Sequence, residues 1–197
     1  MKKIYLVVLA LIAFQAMYAQ GGYSAFTYSM GFPAGDLKTY IDQSSFRGVN
    51  MEFFWHAKPN VDAGFEVGWN VFSSKKDYNT YTEGTRSISG EQFRYTNAVP
   101  MIAGLRWRKT GGKTQPYLGA GLGTTYINRS TDFGLYRITN NTWQFCVRPE
   151  GGLIYKLSDA SAATIGAKYY ANFKTDALDA QSYIALNVGF VFGLSKW

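Results

Sequence analysis

The chain has 197 residues, is 47% hydrophobic and 17% aromatic, and carries a formal charge of +7, with basic residues scattered rather than clustered. That excludes a nucleic-acid footprint, and the length fits a single domain. A single cysteine, Cys146, excludes an intramolecular disulfide framework and any cysteine-based zinc site.

The first segment, "MKKIYLVVLALIAFQAMYAQ", sets Lys2 and Lys3 before an apolar run from Ile4 to Phe14 and small residues up to Ala19. The run is too short to span a bilayer and has the flanks of a secretory signal peptide. Residues 1–19 read as that peptide and 20–197 as one domain. Met17, third before the cut, departs mildly from the Ala-x-Ala pattern. No cysteine follows the run, which speaks against the bacterial lipoprotein route.

Eight segments then alternate with a period of two, over 22–32, 46–57, 61–73, 92–107, 116–127, 142–155, 162–173 and 182–193. The second sets Val49, Met51, Phe53 and Trp55 against Gly48, Asn50 and Glu52. In the third, "VDAGFEVGWNVF", every other residue from Val61 to Val71 is apolar. The fourth sets Val99, Met101, Leu105 and Trp107 against Arg94, Thr96, Gly104 and Arg106, and the eighth alternates Ile184, Leu186, Val188, Phe190 and Phe192 with Ala185, Asn187 and Gly189. Such a period means strands with two unlike faces.

Which face looks inward follows from the polar one. A water-facing sheet favours Thr, Lys, Glu and Arg, but here the face is Gly, Ala, Ser and Asn with a few charges. Small residues suit the interior of an eight-stranded barrel, which has room only for packed side chains. Connections near 58–60, 108–115 and 156–161 are short, whereas 33–45, 74–91, 128–141 and 174–181 are mostly longer and polar. Long-short alternation, and strands of roughly the 9–11 residues needed to cross a bilayer, predict an all-β, eight-stranded antiparallel up-and-down transmembrane barrel with a closed, polar-filled lumen. Trp55, Trp69, Trp107 and Trp143 fall near strand ends on the apolar face and form the expected interfacial aromatic girdle.

Pairing the second and third segments across Pro59 puts Phe53 opposite Phe65, Met51 opposite Val67, and Phe54 over Gly64. It also puts Glu52 opposite Glu66. Two facing carboxylates need cations, so we expect a lumen charge network of Glu52, Glu66, Arg148, Glu150 and Lys168, with Glu150 beside Lys168 and with Arg94 and Arg106 nearer the ends.

The stretches "QPYLGAGLGTTY" (115–126), "RPEGGLIYKL" (148–157) and the terminal "SYIALNVGFVFGLSKW", with the signal sequence, resemble the small eight-stranded outer-membrane barrels of Gram-negative bacteria, of the OmpX and OmpA-transmembrane-domain type. The likeness covers the whole mature chain and is architectural. It implies the outer membrane as location and an aromatic last residue read by the insertion machinery. Trp197 fits in type, on the opposite parity to Phe190 and Phe192.

Recognisable chemistry is scarce. "TGGKTQ" (110–115) has Trp107 where a phosphate-binding loop needs glycine, and "GAGLG" (119–123) lies inside a strand, not at a strand-to-helix turn. Glu52 and Glu66 could form an acid/base pair, but a filled lumen admits no sugar. A lipid A-modifying enzyme is a further alternative, with its catalytic groups on the outer-leaflet side. The only histidine, His56, belongs to the opposite end, where it pairs with Asp62, and Cys146 reads as a buried inert thiol. No catalytic, cofactor or metal residue is assigned. The loop 74–91 offers Lys75, Lys76, Tyr78, Tyr81 and Arg86 for extracellular contacts, including lipopolysaccharide phosphates. Two readings stand first: a non-enzymatic barrel with a structural, adhesion or envelope-maintenance role, and an accessory subunit of a larger outer-membrane transport or secretion complex. For the second, with a protein partner in the outer membrane, Ala163, Ala167 and Ala171 are the candidate flat patch.

Overall fold

The computed structural model describes residues 21–83, 86–133 and 136–193; the expected signal peptide and Trp197 lie outside them. Eight strands run in chain order: β1 (Tyr23–Pro33), β2 (Gly48–Lys58), β3 (Val61–Glu83), β4 (Arg86–Arg108), β5 (Thr114–Phe133), β6 (Tyr136–Lys156), β7 (Ser161–Asn172) and β8 (Tyr183–Phe192). Each pairs antiparallel with its sequence neighbours, and β8 returns to β1 to close the barrel. Closure leaves no sheet edge within the ring, the requirement for strands that cross a bilayer.

The faces are inverted relative to a water-soluble sandwich. Leu118, Leu122 and Ile165 are 65%, 58% and 58% exposed, whereas Glu66, Arg106 and Lys168 are 1%, 2% and 2% exposed. An apolar band of this extent is stable only against lipid. The β2–β3 register is the one the turn implies, with Glu52 opposite Glu66, Phe53 opposite Phe65 and Phe54 opposite Gly64. Asn60 takes the left-handed conformation this tight turn needs, at φ 64°. Gly64 has no room for a side chain, since a Cβ there would lie 2.6 Å from the Phe54 ring.

Two features depart from the sequence reading. The connections 74–91 and 128–141 are not loops: β3 and β4 stay paired to Glu83–Arg86, and β5 and β6 to Phe133–Tyr136. Past the lipid both faces meet water, so alternation disappears while the ladder continues. The β-formers Thr80, Tyr81, Thr82 and Ile88 sit in it. The connection after β1 also contains a short helix, α1 (Gly35–Tyr40), closed by Ile41 donating to the Leu37 carbonyl at 2.7 Å. Its six residues are too few to show helical periodicity. Leu37, Tyr40 and Ile41 turn into the barrel mouth, packing with Phe72, Ile102, Ile127 and Leu178.

Candidate functional site

The lumen is filled at three levels. The middle one is ionic. Glu52 on β2, Glu66 on β3, Arg106 on β4, Arg148 and Glu150 on β6, and Lys168 on β7 meet on the barrel axis, all nine-tenths or more buried. Arg106 Nη2 donates to Glu52 at 2.9 Å and to Glu150 at 3.0 Å. Arg148 pairs with Glu66, and with Glu150 at 3.2 Å. Lys168 pairs with Glu52, and with Glu66 at 2.5 Å. The Tyr170 hydroxyl also donates to Glu66. Three carboxylates thus meet three cations, which is what permits the opposed Glu52 and Glu66 to stay buried.

All five residues expected in the network come together here. Glu150 is in register with Lys168, but its bonds go to Arg106 and Arg148. Arg106 itself was placed nearer the end. Its guanidinium reaches inward between the rings of Phe54 and Tyr117, at 4.0 and 4.2 Å from their centroids. Its lumen parity was readable, but strand tilt shifts depth from strand to strand. Residue counts within single strands carry no such information. Glycine makes space for the network: a Cβ at Gly119 would lie 2.7 Å from Glu150 Oε1.

The short-turn end is closed by Asp62. Its carboxylate meets His56 Nδ1 at 2.5 Å and accepts from the Tyr23 hydroxyl and Arg108 Nε at 2.9 Å each. Arg108 in turn donates to Gln115 at 2.5 Å. The opposite mouth is closed by the α1 residues and by the segment before β8. Gln144 and Asn172 hold that segment, donating to the carbonyls of Asp179 at 2.8 Å and Gln181 at 2.6 Å. Cys146 is a buried free thiol within this apolar layer. Among the described residues, no group of three His, Cys, Asp or Glu is placed to hold a metal ion.

On the outside, Trp69, Trp107 and Trp143 are exposed and Trp55 is half-buried. Trp55 and Trp107 stand toward the short turns, and Trp69 and Trp143 toward the long hairpins. Because β3 and β6 are longer than expected, Trp69 and Trp143 lie well inside their strands. Of the residues expected to make external contacts, Lys75 pairs with Glu91 across the β3–β4 hairpin at 2.8 Å. Lys76 reaches Asp42 at 2.9 Å. Tyr78 is 73% exposed. The side chains of Tyr81 and Arg86 lie outside the described residues.

No protein-family profile and no curated protein matches the sequence. Solved structures do. Neisserial surface protein A (NspA) superposes over 88% of this chain and 97% of its own, with TM-score 0.57 at 15% identity. The N-terminal barrel domain of Pseudomonas aeruginosa OprF covers 88% of this chain and 98% of its own, with TM-score 0.48 at 11% identity. The fold is that of the small eight-stranded outer-membrane barrels.

For an outer-membrane-type barrel, the lipid-facing surface is also a candidate site. The expected patch of Ala163, Ala167 and Ala171 on β7 is interrupted by Ile165 and Tyr169, both exposed between the alanines. The smooth region lies elsewhere. Ala63, Ala103 and Ala120 floor an apolar groove of about 620 Å³ across β3–β5, walled by Trp55, Leu105, Leu122 and Val147.

Proposed function

We propose that the chain is exported by a cleaved signal peptide, inserts into the outer membrane, and acts there as a sealed, non-enzymatic barrel. Its work falls to the long-hairpin end, in adhesion or envelope maintenance. The observation that carries this reading is the lumen: six buried charged side chains neutralise one another between the β-strands, leaving no route for a solute. The sole histidine is locked to Asp62 at the opposite end from the hairpins, away from any outer-leaflet substrate. Lys75 and Lys76 already have carboxylate partners, so a lipopolysaccharide phosphate would have to compete with Glu91 and Asp42 for them. Tyr78 stands clear of the β3–β4 hairpin and is free for an external contact.

The test uses the natural absence of other cysteines. Tyr78→Cys should react with a membrane-impermeant maleimide on intact cells, while Gly111→Cys, at a short turn, should react only after the outer membrane is opened. The reverse pattern would invert the topology. Labelling of both sites only in lysed cells would place the protein elsewhere.

A second reading, an accessory subunit of a larger outer-membrane assembly, is favoured by the smooth groove across β3–β5. Extraction in mild detergent should then bring down a stoichiometric partner that Ala103→Trp, which fills the groove, releases. A lone barrel in mild detergent rejects this reading.

A further inference from the structure

At the outer mouth, two arginines share one ring. The guanidinium of Arg94 on β4 lies 4.8 Å from the Tyr40 ring centroid, and that of Arg129 on β5 lies 3.4 Å from it. The ring is fixed: Tyr40 is 7% exposed, and its hydroxyl bonds the Ser130 carbonyl at 3.1 Å and Thr131 Oγ1 at 2.5 Å. Arg94 is fixed as well, donating through Nε to Gln92 at 2.7 Å and through Nη1 to the Tyr40 carbonyl at 3.0 Å. Among the described residues, no carboxylate stands within ion-pair distance of either guanidinium. Two like charges on one ring are unfavourable unless an anion joins them, and Asp179, which feels the charge of Arg129, is already paired with Lys174.

Beside them is a cavity of about 290 Å³, lined by Asp36, Thr39, Tyr40, Arg94, Arg129 and Asp179. It lies at the low end of small-molecule sites, roughly 300–1,000 Å³, and so suits one sugar-sized group. We propose that this cup binds a single phosphorylated monosaccharide unit, with the phosphate on Arg94 and Arg129 and sugar hydroxyls on Asp36, Thr39 and Asp179. A carboxylate has two oxygens, which the Arg129 fork alone fills, whereas a phosphate has a third that can accept from the donors Arg94 has left beyond its bonds to Gln92 and Tyr40. The carboxylates across the cup disfavour a bare polyanion and accept from hydroxyls. Asp179 pairs with Lys174 at 2.9 Å, and that bond holds its carboxyl below the ordinary range, so it stays ionised. This rests on the proposed role of the hairpin end as the working face and names its ligand chemistry.

The experiment is calorimetric titration of the purified barrel in detergent with glucose 1-phosphate, glucose and inorganic phosphate. Saturable binding is expected for glucose 1-phosphate and not for glucose. Arg129→Gln should weaken it by about tenfold or more, the scale of a lost charge-assisted hydrogen bond. Arg137→Gln, whose guanidinium is taken by Asp132 away from the cup, should leave binding unchanged. Asp36→Asn should weaken the sugar phosphate but not inorganic phosphate. A parallel arm places the barrel in nanodiscs of lipopolysaccharide or of phosphatidylcholine and reads thermal stabilisation. An Arg129-dependent effect confined to lipopolysaccharide identifies a glycolipid sugar phosphate as the source. Binding in neither arm, or binding indifferent to Arg129→Gln in both, overturns the proposal. A barrel of inverted topology would still bind in detergent, so the labelling of Tyr78→Cys fails independently.

Discussion

Lys168 is the residue on which the lumen turns. Among the described residues it alone bridges Glu52 and Glu66, which face each other across β2 and β3. Lys168→Met keeps the volume but leaves two buried carboxylates one cation short. The expected cost is about 3–5 kcal/mol, as for breaking a buried ion pair. It should appear as a lowered urea midpoint for unfolding of the barrel in detergent, read by loss of its β-sheet circular dichroism. Adding Glu52→Gln should recover part of the loss, because the cycle removes the unpaired charge. At this scale the sequence was informative where one short turn set the register, as for Glu52 and Glu66. It was uninformative for Arg106, whose depth depends on the tilt of the whole ring.

Among the elements, the hairpins show where pattern reading runs out. Alternation identifies a strand only while its two faces meet different surroundings. β3 therefore reads as ending near residue 73, although its ladder runs to Glu83. One residue pair short of the last rung, the β5–β6 hairpin carries a bidentate ion pair, Arg137 donating to both Asp132 oxygens at 2.6 and 2.7 Å. Those bonds hold the Asp132 carboxyl below its ordinary range. A depressed folded pKa means the pair supports the tip above the unfolded pKa, about 3.9, and that support is lost as pH falls through the lower folded value. Amide exchange across Thr131–Ile138 should thus be level from neutral pH down to about 5 and accelerate only below about 4, beyond the intrinsic pH effect. Arg137→Gln should abolish that step; if the step persists, the pair does not hold the tip.

Taken whole, the molecule is closed three times: by Asp62 and Arg108, by the ionic layer, and by the apolar mouth around Ile41. Opening one layer leaves two. Ile41→Ala should cost about 2–5 kcal/mol of stability, as for large-to-small core changes, yet add no conductance in planar bilayers. Discrete channel openings in that variant would show that the ionic layer does not seal. The barrel, its strand number and its inverted faces were legible in the sequence because each strand carries both solvents in its alternation. The mouth was not, because α1 and the segment before β8 are packed by distant partners such as Phe72 and Ile127.

The pairing of β1 with β8, from Ser24 opposite Phe192 to Pro33 opposite Tyr183, joins the first and last strands of the barrel. The first strand made is therefore the last to find its second neighbour. Until β8 arrives, β1 has one row of backbone donors and acceptors unmatched, and lipid offers nothing to match them. The ring therefore cannot close on any shorter piece of the barrel: all eight strands have to be present before the first is fully paired.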